Sequence, residues 1–199
     1  MVSEIKLMQS QNSPFGDKGK RIHPHKFTLW VAIGSIIMMF AGLTSAYIVK
    51  SNQANWQEIK TPQIFWYSTA AILLSSLTIQ MALRSFKQRE MNRYRQLMTV
   101  TVFLGAAFVI LQWTGFMQIW NSGIQFKGIA GAGQFLYVIF GLHALHVLGG
   151  VIALIVMLAK AFFGSTKNYA STGIEVAATY WHFVDALWIY LLVFFLWIK

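Results

Sequence analysis

The chain has 199 residues, of which 56% are hydrophobic and 11% charged, less than half the charged fraction of an ordinary soluble domain. It is too rich in aromatic residues, at 16%, for disorder, and the absence of cysteine excludes disulfides, iron–sulfur clusters, c-type haem attachment and thiolate sites for zinc or copper. The formal charge of +10 does not indicate nucleic acid, because the basic residues punctuate long apolar runs and do not line one face of a polar domain.

Residues 1–26 are polar and contain no apolar stretch, so they do not read as a cleaved signal peptide. They are taken as a polar segment ahead of a membrane domain over 27–199. Five runs in that domain reach the length of about 20 apolar residues that a bilayer requires: about 27–49, 64–83, 97–119, 135–163 and 177–198. Each is apolar around most of its circumference, unlike an amphipathic surface helix. None has the short alternating pattern of a barrel strand. The predicted fold is an all-α membrane protein, a bundle of five transmembrane helices.

Span one offers Gly34, Ser35, Ala41, Gly42 and Ser45, span two Ser75 and Ser76, and span three Gly105 and Ala106. Small residues let membrane helices approach closely, and that is their expected role. Gln80, Gln112 and Gln118 are expected to hydrogen-bond to neighbouring helices. Pro62 is placed in the first turn of span two, where its missing N–H costs nothing. Gly123, Gly128, Gly131 and Gly133 mark the third link as a turn region. The links leave no room for a soluble catalytic domain.

Twelve of the 16 lysines and arginines fall in the N-terminal segment and in the links after spans two and four. The opposite side has Lys50, Lys60, Lys127 and Lys199. Basic residues accumulate on the cytoplasmic side, which predicts a cytoplasmic N-terminus and an outside C-terminus in a multi-pass protein of the bacterial inner membrane. Arg84, Lys87, Arg89, Arg93 and Arg95 are read as a topology signal in contact with anionic lipid.

Ionisable residues inside spans are costly and therefore candidates for function. Span four carries His143 and His146, three apart and on one face. Span five opens with Glu175 and continues through His182 and Asp185, all within about 80° at 100° per residue. Counted at about 1.5 Å per residue, His146 and Asp185 reach nearly the same depth in a core of about 30 Å. His143, His146, Glu175, His182 and Asp185 are therefore expected to face the seam between spans four and five or their neighbours. Three readings stay open: a polar clamp between helices, a proton-handling group, and a metal or bis-histidine haem site. The paired Glu-x-x-His spacing of di-iron bundles is missing. His23 and His25, beside Pro24, read as solvated interfacial residues.

At these residues the sequence resembles a known family. Glu175–Trp188 reads EVAATYWHFVDALW and resembles the last-helix signature of subunit III of haem–copper terminal oxidases, with Tyr180, Trp181, Phe183 and Trp188 as its aromatic residues. Gly141–Gly150 reads GLHALHVLGG and resembles that family's penultimate-helix motif, which closes on glycine, here Gly150. The resemblance runs from about Lys26 onward and is to the five-helix bacterial form. It implies a non-redox accessory subunit of a proton-pumping oxidase in aerobic respiration, with no cofactor of its own and bound phospholipid. Its implied partners are subunit I directly, subunit II and other oxidase subunits, and membrane lipids, with a respiratory supercomplex as a further setting. Haem and copper would belong to the partner subunits. Two family carboxylates are missing, since Gly34–Ser45 contains no acid and span three reads Gln112-Trp-Thr-Gly115 where the family often has Gln-x-x-Glu. Both losses favour a structural role over proton collection. The alternatives are a nitric-oxide-reductase-associated relative and a small bis-histidine haem carrier.

Overall fold

A computed structural model describes residues 24–51, 62–121, 132–163 and 171–198. The polar N-terminal segment up to His23 and most of the glycine-marked third link lie outside the described residues, as does the side chain of His25. The described chain forms α1 (Pro24–Ser51), α2 (Ile64–Lys87), α3 (Met91–Asn121), α4 (Ala132–Phe163) and α5 (Thr172–Trp197). All five are long and apolar enough to cross a membrane. Lipid offers no hydrogen bonds to the backbone, so each span must satisfy its own N–H and C=O groups, and a helix does this within one segment.

The helices run past several of the expected boundaries. α2 continues from Leu83 to Lys87, and α3 begins at Met91 rather than near Leu97. Their charged ends project beyond the apolar stretch that defined the spans. Pro62 stands just ahead of α2 and not in its first turn; its carbonyl accepts the Phe65 N–H at 3.2 Å.

Extension of both helices leaves only Gln88–Glu90 between α2 and α3. The chain reverses there through Arg89, whose φ of 62° lies in the left-handed region. The Arg89 N–H donates to the Phe86 carbonyl at 3.1 Å and the Glu90 N–H to the Ser85 carbonyl at 3.0 Å. This Schellman arrangement satisfies carbonyls that the end of a helix leaves open, and it ordinarily uses glycine where Arg89 stands. At the other end of the pair, buried Gly115 of α3 faces the start of α2. A Cβ there would overlap the Phe65 ring and come within 2.8 Å of Ile64 Cγ2.

α5 is the hub. It packs against α1, α2 and α4, whereas α1 packs only on α4 and α5 and makes no backbone approach to α2 or α3. The core lies along the inner side of α5, on Ile174, Ala178, Trp181, Val184, Trp188, Leu191 and Phe195.

Gly115→Ala is expected to destabilise the full-length chain by about 1–3 kcal/mol, the usual range for overpacking a filled site. Thermal unfolding in detergent measures this. Arg89→Gly, which relieves the left-handed arginine, should keep the midpoint at or above that of the parent.

Candidate functional site

The residues of the last-helix motif build the centre of the bundle. Trp181 and Trp188, seven positions apart, share one face of α5, and both are fully buried. The Trp181 ring lies between two glycines on different helices: a Cβ on Gly105 of α3 or on Gly150 of α4 would come within 3.0 Å of it. Its Nε1–H donates to Ser75 Oγ of α2 at 3.1 Å. Ser75 in turn donates to the Thr101 carbonyl of α3 at 3.4 Å, and Thr101 Oγ1 lies 2.8 Å from Thr78 Oγ1. One indole thus meets three other helices.

Trp188 repeats the pattern two turns on. Its Nε1–H donates to Thr69 Oγ1 of α2 at 2.9 Å. Its ring stacks on His143 with centroids 5.4 Å apart and receives Phe65 and Phe108 edge-on at 5.5 and 5.6 Å. Such aromatic pairs contribute about 0.5–1.5 kcal/mol each beyond their buried area. The Tyr180 hydroxyl donates to the His146 carbonyl at 3.1 Å, and half-buried Phe183 packs on the core. Sequence reasoning took Ser75 and Gly105 as small residues for close approach and did not single out Thr69. Two tryptophan N–H groups in an apolar span were the available signal, since a buried indole N–H needs an acceptor.

The five ionisable residues are spread over separate seams. Glu175 is in the first turn of α5, where the helix dipole favours negative charge. Its carboxylate meets Lys26 Nζ of α1 at 2.7 Å and Lys87 Nζ of α2 at 3.0 Å, and accepts the Ser171 hydroxyl at 3.1 Å. Glu175 therefore links two helices that make no backbone approach to each other. His182 faces α2, with Nδ1 2.5 Å from Ser76 Oγ and Nε2 3.3 Å from Gln80 Oε1. His146 turns back to the Leu142 carbonyl of its own helix at 2.7 Å and sets its ring edge-on to Phe40 of α1. His143, 2% exposed, is held between Trp188 and Phe108; neither ring nitrogen has a hydrogen-bond partner. Asp185 is 3% exposed and its carboxyl oxygens have no partner either. Among the described residues no histidine meets a carboxylate across the α4–α5 seam, and no three His, Asp or Glu side chains gather as metal ligands.

Of the basic residues around the α2–α3 reversal, Lys87 is engaged by Glu175. Arg95 donates from Nε to the Ala161 carbonyl at 2.8 Å, a cation at the C-terminal end of α4, where the dipole favours it, and lies over the Phe162 ring at 5.4 Å. Arg93 pairs with Glu90 at 3.4 Å on the surface, a contact worth little. Arg84 and Arg89 are exposed at the same end.

A cleft of about 220 Å³ opens between α3 and α4. Phe108, Trp113, Phe116 and Phe140 form its apolar walls, and Gly141 and Ala144 leave it open on the α4 side. Gln112 borders it and donates from Nε2 to Ser68 Oγ of α2 at 3.1 Å.

The family model for cytochrome c oxidase subunit III matches residues 25–199. A relative from Nocardia farcinica, named probable cytochrome c oxidase subunit 3, is 31% identical over 181 residues, covering 85% of this chain and 89% of the relative. Cytochrome c oxidase subunit 3 of Bacillus sp. (strain PS3) is 26% identical over 166 residues, 81% of this chain and 80% of the relative. That of Osphranter robustus is 35% identical over 133 residues, 65% of this chain and 48% of the relative.

Gly105→Ala and Gly150→Ala should each lower the thermal midpoint of the detergent-solubilised chain, because the new methyl meets the fully buried Trp181 ring, held by its hydrogen bond to Ser75. Gly141→Ala is the control. Nothing lies within 4 Å of its Cβ position, so the gain in helix propensity of about 1 kcal/mol should leave the midpoint equal or higher. Asp185→Leu should not destabilise the isolated chain either, since the carboxyl it removes has no partner to leave unpaired.

Proposed function

The chain belongs to the cytochrome c oxidase subunit III family, and from that membership we propose that it is a non-redox accessory subunit of a proton-pumping haem–copper terminal oxidase. In this reading it spans the bacterial cytoplasmic membrane five times, with the N-terminus and the Arg84–Arg95 end cytoplasmic. It binds subunit I laterally, shares the complex with subunit II, and sustains turnover of a core whose haems and copper lie in those partners. Lys26, Lys87, Glu175 and His182 hold helices together and carry no redox chemistry. The cleft between α3 and α4 receives a phospholipid acyl chain.

The observation that carries this reading is how the span histidines are used. His143 is wedged between aromatic rings, His146 is turned to its own helix, and His182 is bonded to α2. Each serves packing, and no two face each other as axial ligands would. That weighs against the bis-histidine haem carrier: a Soret band retained by the purified chain alone would reverse the choice.

Deleting the subunit is expected to leave haem content and first-turnover oxygen reduction largely intact, with activity falling over many turnovers. A deletion strain whose purified core holds its haems yet reduces no oxygen from the start would refute the role. The chain has no cysteine of its own, so a single cysteine placed at Gln88 reports topology cleanly. It should resist impermeant thiol reagents applied from the periplasm of intact cells.

A further inference from the structure

On the outer side of α5, between α1 and α2, runs a strip formed by Glu175, Thr179, His182, Ala186, Ile189 and Val193, each three or four positions from the next and all within about 40° of one line at 100° per residue. The helices flanking this strip, α1 and α2, make no backbone approach to each other, and Ala186, Ile189 and Val193 are exposed, so the strip is an outward face of the molecule. At one end it carries Glu175 with Lys26 and Lys87, which marks the level of the polar interface. His182 lies seven residues inward of Glu175, and Gln80 seven inward of Lys87, about 10 Å in each case at 1.5 Å per residue. Both are therefore inside the hydrocarbon layer. Gln80 is exposed, and its hydrogen bond with His182 lies on the surface.

Hydroxyl groups on other outward surfaces are satisfied within their own helices: Ser35 bonds the Val31 carbonyl, Thr99 that of Arg95 and Thr114 that of Leu111. A glutamine amide has more donors than one acceptor satisfies. The Gln80 Nε2 amine has no partner among the described residues. Lipid tails offer none, and an unsatisfied polar group in hydrocarbon costs several kcal/mol. What covers this spot must supply hydrogen-bond acceptors at that depth, which a lipid acyl chain does not and a polar side chain or carbonyl on another membrane helix does. Interhelical hydrogen bonds of this kind, beside small residues such as Ala186, are how membrane helices associate in the absence of a hydrophobic drive.

We propose that the α1–α5–α2 face, centred on Gln80 and His182, is the docking surface for a transmembrane helix of the catalytic subunit, and that this helix presents an acceptor to Gln80. This placement rests on the accessory-subunit reading. It leaves the α3–α4 side of the bundle, with its apolar cleft, facing lipid.

Photo-crosslinking in native membranes tests it, using the full chain with benzoylphenylalanine placed at Leu77 or Ile189 on this face, or at Phe103 or Leu145 on the α3–α4 side. Leu77 and Ile189 should give adducts with the oxidase catalytic subunit, and Phe103 and Leu145 with lipid only. Lipid adducts alone from Leu77 and Ile189, or catalytic-subunit adducts from Phe103 and Leu145, would overturn the placement. So would adducts joining two copies of this chain through Leu77 or Ile189, which would make the face a homodimer contact. If the tagged chain brings down no haem protein at all, the accessory-subunit reading falls first, and the placement with it. Gln80→Leu provides a second measurement. It keeps the helix and removes the amide, so retention of the catalytic subunit in detergent should weaken about three- to eighteen-fold. Unchanged retention with Gln80→Leu would remove Gln80 from the interface.

Discussion

A tryptophan N–H in a medium without water must find an acceptor inside the protein, and the bundle is organised around that need. Trp181 has only Ser75 for this purpose, which fixes how far α5 stands from α2 and at what rotation. Once the indole is so placed, its edges define where α3 and α4 can lie, and both helices have glycine at the point of approach. A hydrogen bond of this type contributes about 0.6–1.7 kcal/mol between membrane helices. Its larger effect is on uniqueness. Apolar packing tolerates sliding of one helix along another, whereas a polar pair with a single partner permits one register. Trp188 with Thr69 sets the same register a second time.

This division of labour explains which parts of the molecule were legible in its sequence. The five spans were readable because uninterrupted apolar runs of this length have few other uses. Gly105 and Gly150 were readable as sites of close approach or as motif residues. Their common partner was not, because which side chain fills a gap between helices depends on rotations that periodicity does not give. The polar residues of the last two spans show the same limit. Depth and helical face singled out Glu175 and His182 for the seam between spans four and five or their neighbours, without choosing among those helices. In the structure their partners come from α1 and α2. Residues at one level in a bundle have several neighbours, and level alone does not choose among them. Helix ends were missed for a different reason: hydropathy marks where the hydrocarbon stops, and α2 and α3 stay helical for another turn or more beyond it.

His143 and Asp185 stand apart from the satisfied network. Both are enclosed, both lack hydrogen-bond partners, and they belong to the two helices that carry the family's signatures. An aromatic stack suits a neutral imidazole, and Trp188 supplies one. Asp185 has no such stack; the polar group beside its carboxyl is the Ser76 hydroxyl, which His182 already engages. A buried acid without a partner lowers stability relative to leucine, so packing alone does not account for its presence.

The pattern of contacts also has a bearing on how the protein is made. α2 and α3 are joined by a three-residue reversal and pack along their length, so they can pair as soon as both have left the ribosome. α1 has no such neighbour. Its anchors are Glu175, 149 residues downstream of Lys26, and Tyr190, whose hydroxyl lies 2.9 Å from Thr44 Oγ1 across 146 residues of chain. Contacts so distant in sequence form late, because the intervening chain must first be in place. During synthesis from the N-terminus, α1 therefore waits in the bilayer until α4 and α5, the two helices it packs on, arrive. The order of insertion and the order of assembly are opposed, and α5, last to be made, is what closes the fold.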